Sequence, residues 1–398
     1  MKYVMIVPDG MADVPLRQLS NRTPMQAART PNMDRIAAEG IVGQTLNTPA
    51  DLPPGSDVAN LSLLGYDPHE CYTGRGPLEA AAMGIELNPG EVAFRCNLVT
   101  IDENDRLRDY CAGEIPSREA AILIGAIQKA VADDLPDVTF YAGISFRNLM
   151  VYRGRSPMTA ATTPPHDIMG EPFDKHLPTG EGSAILRKLM LTTRVLLEAH
   201  EVNTVRVDLG ENPANMIWLW GQGTAPDLEP FERKYGKKGS VVAAVDLVRG
   251  TAVYLGLESI DVPGATGSYD TNYAGKAQAA IDALDRCDFV FVHIEAPDTA
   301  SHAADIEQKV HAIEKIDREI VGPIHEALLA RGEYRLIVLP DHATPIERKT
   351  HVHEPVPFAL CGRGVEPVRD VPFTEAGGRE SGLKFDQGHE LMAYFLRG

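Results

Sequence analysis

LPDHATPIERKTHVH, residues 339–353, sets Asp341 and His342 at the end of an apolar run, with His351 and His353 just beyond. An Asp-His pair at the C-terminal end of a buried strand presents a carboxylate oxygen and an imidazole nitrogen at the edge where α/β sheets bind their ligands. Two other apolar runs finish the same way. Residues 2–7, KYVMIV, lead into Pro8-Asp9-Gly10, and residues 288–294, DFVFVHI, lead into Glu295-Ala296-Pro297-Asp298, with His302 one helical turn beyond Asp298. Three strands that each end in a carboxylate predict one sheet gathering its ligands along one edge. Taken singly, an Asp after a strand is commonly a turn former or a helix cap, and a His is commonly a satisfied polar residue. Together, Asp9, Asp298, His302, Asp341, His342 and His351 are enough for two ions, because metal sites need several deprotonated ligands to converge.

The chain has 398 residues, 44% hydrophobic and 24% charged, which leaves room for two domains with their own cores. A formal net charge of -18 argues against nucleic acid or an anionic membrane as the main partner, since both are bound through a surplus of Lys and Arg. An anionic substrate must then be held by local cations or by metals. The five cysteines form no CxxC pair and the first residues form a strand, not a signal segment, so a reducing, cytoplasmic setting is expected. No apolar run approaches the roughly 20 residues needed to span a bilayer.

Residues 29–40, RTPNMDRIAAEG, predict a helix with Thr30 able to cap it, Pro31 at its first position and a Gly stop. In residues 51–67, DLPPGSDVANLSLLGYD, the Pro-Pro-Gly turn places Ser56 at the entry to a segment with Val58, Leu61 and Leu64 on one face. A Ser there either caps the helix or serves as a nucleophile, its oxygen carrying phosphate against the free N–H groups of the helix start. The texture changes over residues 78–228, which hold helical patterns at 117–132 and 184–199 and strands at 140–142 and 148–152, and which the metal candidates avoid. A second domain inserted into the first is therefore expected, with residues 1–77 and 229–398 forming the split first domain. That domain resumes with a strand at 240–245, a helix at 273–286 and a long helix at 306–330 that Pro323 can kink. Alternation of strand and helix predicts a parallel α/β sheet.

Read in order, Pro8-Asp9-Gly10, Gly55-Ser56-Asp57, Ala296-Pro297-Asp298 with His302, Pro340-Asp341-His342, and Thr350-His351 followed by Pro355-Val356-Pro357-Phe358 resemble the metal and nucleophile motifs of the alkaline phosphatase superfamily. Within it they are most similar to the cofactor-independent phosphoglycerate mutases of archaeal type, a branch that also occurs in bacteria. The similarity continues through residues 72–79 (YTGRGPLE), 93–98 (AFRCNL), 164–168 (PPHDI), 217–223 (IWLWGQG) and 264–267 (GATG), so it covers nearly the whole chain. It implies a mostly parallel sheet with helices on both faces, interrupted by a smaller inserted α/β domain. It also implies a bimetallic site, with Asp298, His302 and His351 on one ion, Asp9, Ser56, Asp341 and His342 on the other, and Ser56 carrying the phosphoryl group. Mixed Asp and His ligation suits Mn²⁺ or Zn²⁺, and Mg²⁺ less well. Where relatives often read Glu-Ala-Gly-His, this chain has Thr299-Ala300-Ser301-His302, and His353 is an additional His whose part in the metal site stays open.

For the inserted domain the resemblance implies cations that bind the carboxylate and phosphate of a small acid as the domains close. Arg75, Arg95, Arg147 and Lys238 are the candidates, with His166 and Asp167 as a polar pair facing the hydroxyls. The implied activity is interconversion of 3-phosphoglycerate and 2-phosphoglycerate through a Ser56 phosphoenzyme, without a bisphosphoglycerate cofactor. A rival within the same scaffold is a homoserine kinase-like phosphotransferase using a nucleotide donor, although no G-x-x-x-x-G-K-[ST] loop is present. A third reading, a non-catalytic metal-binding protein, leaves the serine among the ligands without a role.

Overall fold

The computed structural model describes residues 1–368 and 370–397. It divides into two compact units, one made of Met1–Tyr72 with Asp227–Gly398 and the other of Thr73–Pro226. The second begins ahead of residue 78, because the helix Arg75–Ala82 packs its Ala80 against Ala93, Leu149 and Val151 of that unit's sheet.

The sheet of the first unit runs in the order Lys384–Phe385, Ile41–Thr45, Val356–Gly362, Tyr334–Val338, Lys2–Pro8, Phe289–Ile294, Gly239–Val242, Glu258–Ile260. The strand pairs from Tyr334–Val338 through to Glu258–Ile260 are parallel. Val356–Gly362 runs antiparallel to both of its neighbours, a departure from an all-parallel sheet. The cause is its connection: residues 339–355 return as a loop, with no crossover helix to carry the chain back to the other end of the sheet.

Side chains alternate across this sheet. Val4, Ile6, Val290, Val292, Leu336 and Val338 face one helical layer, which includes Met33, Ile36, Ile313, Ile316 and Ile324. Tyr3, Met5, Val7, Phe289, Phe291 and Ile337 face the other, which includes Leu61, Leu64, Val248, Leu391 and Phe395. With helices on both faces, the strands bury both sides and read as continuous apolar runs.

Two local features go beyond the sequence reading. Thr30 stands at the cap of the helix Pro31–Ala38 but makes no side-chain cap bond; the Asp317 carboxylate accepts the N–H groups of Asn32 and Met33 at 3.2 and 2.8 Å instead. The long helix changes character just ahead of Pro323: Ile306–Ile316 passes through a π-helical turn, Asp317–Val321, into Gly322–Arg331. The wider turn absorbs the backbone donor that proline lacks.

The sheet of the Thr73–Pro226 unit is antiparallel, with Val92–Ile101 pairing with Leu107–Asp109, Arg147–Tyr152 and Met216–Gly223, and with Val138–Ile144 beyond Arg147–Tyr152. The helices Ser117–Val131 and Ser183–Glu198 cover one face through Leu123, Ile127, Leu186 and Met190.

Candidate active site

The three carboxylate-ending strands, Lys2–Pro8, Phe289–Ile294 and Tyr334–Val338, are neighbours at the centre of their sheet, so Asp9, Asp298 and Asp341 meet at one edge. All three are buried. The turn after the first strand needs Gly10, whose φ is +62° and whose place would put a Cβ 2.6 Å from both Asp298 Oδ1 and Thr344 Oγ1. Asp341 is fixed by backbone donation from Gly10 and His342 to its Oδ1, at 3.2 and 2.9 Å, and by Asn60 Nδ2 on its Oδ2 at 3.2 Å.

Ser56 is the first residue of the helix Ser56–Leu63, and Gly55 occupies the cap position. Its hydroxyl is therefore not spent on capping. Oγ lies 3.3 Å from Asp9 Oδ2 and 3.1 Å from His342 Nε2. The tautomer of His342 follows from its other nitrogen. Thr344 donates its single hydroxyl proton to Asp298 Oδ1 at 2.6 Å, so at 3.1 Å His342 Nδ1 must donate to Thr344 Oγ1. That leaves a lone pair on His342 Nε2 facing Ser56. Burial lowers the pKa of His342 to about 4, so the imidazole is neutral and able to accept a proton or a metal.

Two sets of donors have the spacing of a metal site: Asp298 with His342 and His351, and Asp9 with His293 and Asp341. His302 adjoins the first set. Its Nδ1 donates to the Lys349 carbonyl at 2.8 Å, and its Nε2 is 3.1 Å from both Asp298 Oδ2 and His351 Nε2. This is how an imidazole ligand is commonly oriented, one nitrogen tied to a carbonyl and the other turned to the ion. Burial alone would lower the pKa of His302, but the hydrogen bond and charge of Asp298 raise it to about 9. His353 is exposed and directs Nδ1 to the Thr48 carbonyl at 3.2 Å, outside both sets.

Whether these residues suit cations can be tested on the structure itself. Asp9 Oδ1 and both ring nitrogens of His293 are buried without a hydrogen-bond partner, although His293 Nε2 is 3.1 Å from Asp9 Oδ2. Two atoms bound to one ion at about 2.0–2.2 Å lie roughly 3 Å apart without being aligned as a hydrogen bond. Burial, then the charges of Asp341 and Asp298, push Asp9 well above the usual carboxylate range, a cost that a cation would offset. The residues fit the group.

His293 was missed in the sequence because it sits inside the apolar run FVFVHI, where a His looks like a core residue. Thr344 was missed as well, and so was Lys309. The Lys309 ammonium is fully buried and donates to Asp13 Oδ2 at 2.8 Å and to the carbonyls of Thr344 and Ala12 at 3.0 and 3.4 Å, joining the loops that follow Asp9 and His342.

In the Thr73–Pro226 unit, Arg75, Arg95 and His166 gather around Trp220. The two guanidinium carbons lie 5.7 and 4.5 Å from its ring centre and the imidazole centre 5.3 Å away. Asp167 adjoins, with His166 Nε2 3.8 Å from its Oδ1 and the Arg75 charge nearby. Tyr110 packs edge-on against both His166 and Phe146, and Arg147 lies over the Phe146 ring at 4.8 Å. Lys238 is placed elsewhere. It precedes the strand Gly239–Val242 and its backbone N–H donates to Asp288 Oδ2, so it stands at the end of the sheet opposite the three Asp residues. Strand direction was the missing information: a residue ahead of a parallel strand cannot reach the C-terminal edge.

Over its full length the chain is 50% identical to a protein named 2,3-bisphosphoglycerate-independent phosphoglycerate mutase from Methanothrix thermoacetophila, covering 100% of both chains. This chain belongs to that mutase family. A protein of the same name from Methanosarcina mazei is 51% identical, again over 100% of both. The family model described as 2,3-bisphosphoglycerate-independent phosphoglycerate mutase matches residues 37–203. Among solved structures, the PH0037 protein from Pyrococcus horikoshii is 30% identical with a TM-score of 0.82, over 99% of this chain and 96% of that one. The cofactor-independent phosphoglycerate mutase from Thermoplasma acidophilum is 29% identical with a TM-score of 0.65, over 100% and 99%. Membership in the mutase family agrees with the site's make-up, a hydroxyl set among buried carboxylates and neutral imidazoles. Among the described residues no helix is long and apolar enough to cross a membrane.

Proposed function

We propose that this chain interconverts 3-phosphoglycerate and 2-phosphoglycerate without bisphosphoglycerate, by passing the phosphoryl group through Ser56. The observation that carries the reading is the position of the Ser56 hydroxyl, between the Asp9 carboxylate and the free lone pair of His342 Nε2, in a chain of this family. Asp298, His302 and His351 would hold one divalent cation and Asp9, Ser56, Asp341 and His342 the other, with His293 beside Asp9 and Asp341; donor spacing alone groups His342 with Asp298 and His351, but its Nε2 also lies 3.4 Å from Asp9 Oδ1, 3.5 Å from Asp341 Oδ2 and 3.1 Å from Ser56 Oγ. Mn²⁺ or Zn²⁺ suits this donor set best, and such ions, when bound, stabilise charge on the phosphoryl oxygens and lower the pKa of a hydroxyl.

In the forward half-reaction the Ser56 oxygen forms a bond to phosphorus as the ester bond to glycerate breaks, and the serine proton leaves to the Asp9 carboxylate, whose Oδ2 lies 3.3 Å from Ser56 Oγ. The released glycerate oxygen takes up a proton. In the second half the other glycerate hydroxyl attacks the phosphoserine, giving its proton to a base and restoring Ser56. Arg75, Arg95 and Arg147 are assigned to the acid groups of the substrate, and His166 with Asp167 to its hydroxyls and their proton. Retaining glycerate between the two transfers distinguishes a mutase from a phosphatase. On this reading the protein would act in glycolysis and gluconeogenesis, in the cytoplasm.

An enolase-coupled assay with Mn²⁺ present, and with neither ATP nor bisphosphoglycerate, tests the reading: 3-phosphoglycerate should be converted. Consumption of ATP with formation of O-phosphohomoserine, and no isomerisation under the same conditions, would overturn it.

A further inference from the structure

The hydroxyl of Thr344 touches both halves of the metal site. It donates its proton to Asp298 Oδ1 at 2.6 Å and accepts from His342 Nδ1 at 3.1 Å. Asp298 stands with His302 and His351, whereas His342 turns its Nε2 to Ser56 Oγ at 3.1 Å and to Asp9 Oδ1 at 3.4 Å. One oxygen therefore lies between a ligand proposed for each ion, and Thr344 itself is a ligand of neither.

This oxygen has little freedom to move. Thr344 is fully buried; its N–H donates to the Ala12 carbonyl at 3.2 Å, and its carbonyl accepts from the Lys309 ammonium at 3.0 Å. Lys309, on the helix Ile306–Ile316, is itself held by Asp13 Oδ2 at 2.8 Å, and that carboxylate oxygen also accepts the Ile346 N–H at 3.2 Å. The neighbouring Ala343 bridges to Met11, Ala12 and Val352, so the segment bearing Thr344 is laced to the loop that follows Asp9. A branched β-carbon leaves threonine few side-chain rotamers. Space for the hydroxyl depends on Gly10, where a Cβ would fall 2.6 Å from Thr344 Oγ1.

From this geometry we infer that Thr344 is a positioning residue shared by the two ions: its single hydroxyl sets the Asp298 carboxylate for one and the Nδ1–H tautomer of His342 for the other. A hydroxyl has one proton to give and lone pairs with which to receive. Spending that proton on Asp298 obliges His342 to donate from Nδ1, which keeps the Nε2 lone pair for a cation. A valine here would keep the branched shape but take a buried partner from both Asp298 Oδ1 and His342 Nδ1. His342 could then carry its proton on Nε2, the wrong nitrogen for a ligand. The inference rests on the two-ion part of the proposed function, but not on the identity of the substrate.

The test titrates full-length, metal-stripped protein with Mn²⁺ in a calorimeter and compares wild type with Thr344→Val and Thr344→Ser. Wild type should take up two ions. The valine variant should bind both of them about 10- to 100-fold more weakly, and the serine variant, which keeps a hydroxyl, should recover most of the loss. Nitrogen-15 NMR of the metal-free wild type, with the His342 signals assigned by their loss in His342→Gln, should place the ring proton on Nδ1. Folded Thr344→Val that binds both ions as wild type does, a weakening confined to one ion, or a serine variant as impaired as the valine one would overturn the shared role. If the valine variant fails to fold, the NMR spectrum decides, and a His342 proton on Nε2 would overturn the inference. Wild-type protein that binds no Mn²⁺ would remove the inference together with the two-ion site. Wild type that loads two ions and shows the valine–serine contrast, yet does not isomerise 3-phosphoglycerate, would instead remove the mutase reading and leave the role of Thr344 standing.

Discussion

The two units place their functional groups by different means. In the first, each carboxylate follows a central parallel strand, so backbone direction delivers Asp9, Asp298 and Asp341 to one edge, and the groups that tune them come from the same strand ends, His342 and Thr344 one and three residues beyond Asp341 and His302 four beyond Asp298. In the Thr73–Pro226 unit the sheet is antiparallel and no edge collects its residues. Arg75 comes from a helix, Arg95 from a strand and His166 from a loop, and an aromatic ring on a bulge brings them together. The difference predicts a division of labour: variants in the first unit should remove chemistry, and variants in the second should loosen recognition of the acid.

The largest effect is expected at Ser56. Ser56→Ala should cut turnover by about three orders of magnitude or more while leaving the fold intact, because it removes a nucleophile but no core volume. Thermal unfolding alongside the coupled assay checks both halves. Asp341→Asn comes next: a neutral amide is a weaker ligand, so metal affinity measured by calorimetry should fall about 100-fold or more, and chelation of the wild type should inactivate it reversibly. Arg95→Met should be milder and of a different kind, raising KM about 10-fold or more with a smaller change in kcat. If Arg95→Met instead abolished kcat at saturating substrate, the proposed division between the units would fail.

The smallest effect concerns pH. With Asp298 as partner, His302 in the metal-free protein has its pKa raised to about 9 from an ordinary 6.5. A raised folded-state value means that its contribution to stability is fully present below about 6.5 and is lost as pH rises through about 9. The ring is partly exposed, so solvent screens the contribution. Metal must displace this proton, so Mn²⁺ affinity measured by calorimetry should climb from pH 6.5 to pH 9 in wild type and flatten in His302→Ala.

The same contrast explains what could be read in the sequence. Strand, Asp and His at the ends of three apolar runs are local patterns, and they located Asp9, Asp298, His302, Asp341, His342 and His351. His293 lies on one of those strands, but its apolar neighbours gave it the look of core, and only the three-dimensional pairing puts it beside Asp9. Lys238 failed for the converse reason, a cation near the right strand in sequence but at its wrong end. In the Thr73–Pro226 unit Arg75, Arg95, Arg147, His166 and Asp167 could be named only by resemblance. What assembles them is cross-strand register and one extra residue at Gly221, and neither leaves a periodic signal. The antiparallel return of Val356–Gly362 was hidden too, since a buried strand reads alike in either direction.

Acid-quench trapping tests the central claim most directly. When wild-type protein with Mn²⁺ is mixed with 3-phosphoglycerate labelled in its phosphoryl group and quenched within a turnover, the label should appear on Ser56 and then on C2 of glycerate. Isomerisation that proceeds at full rate with no label ever reaching Ser56 would contradict the account.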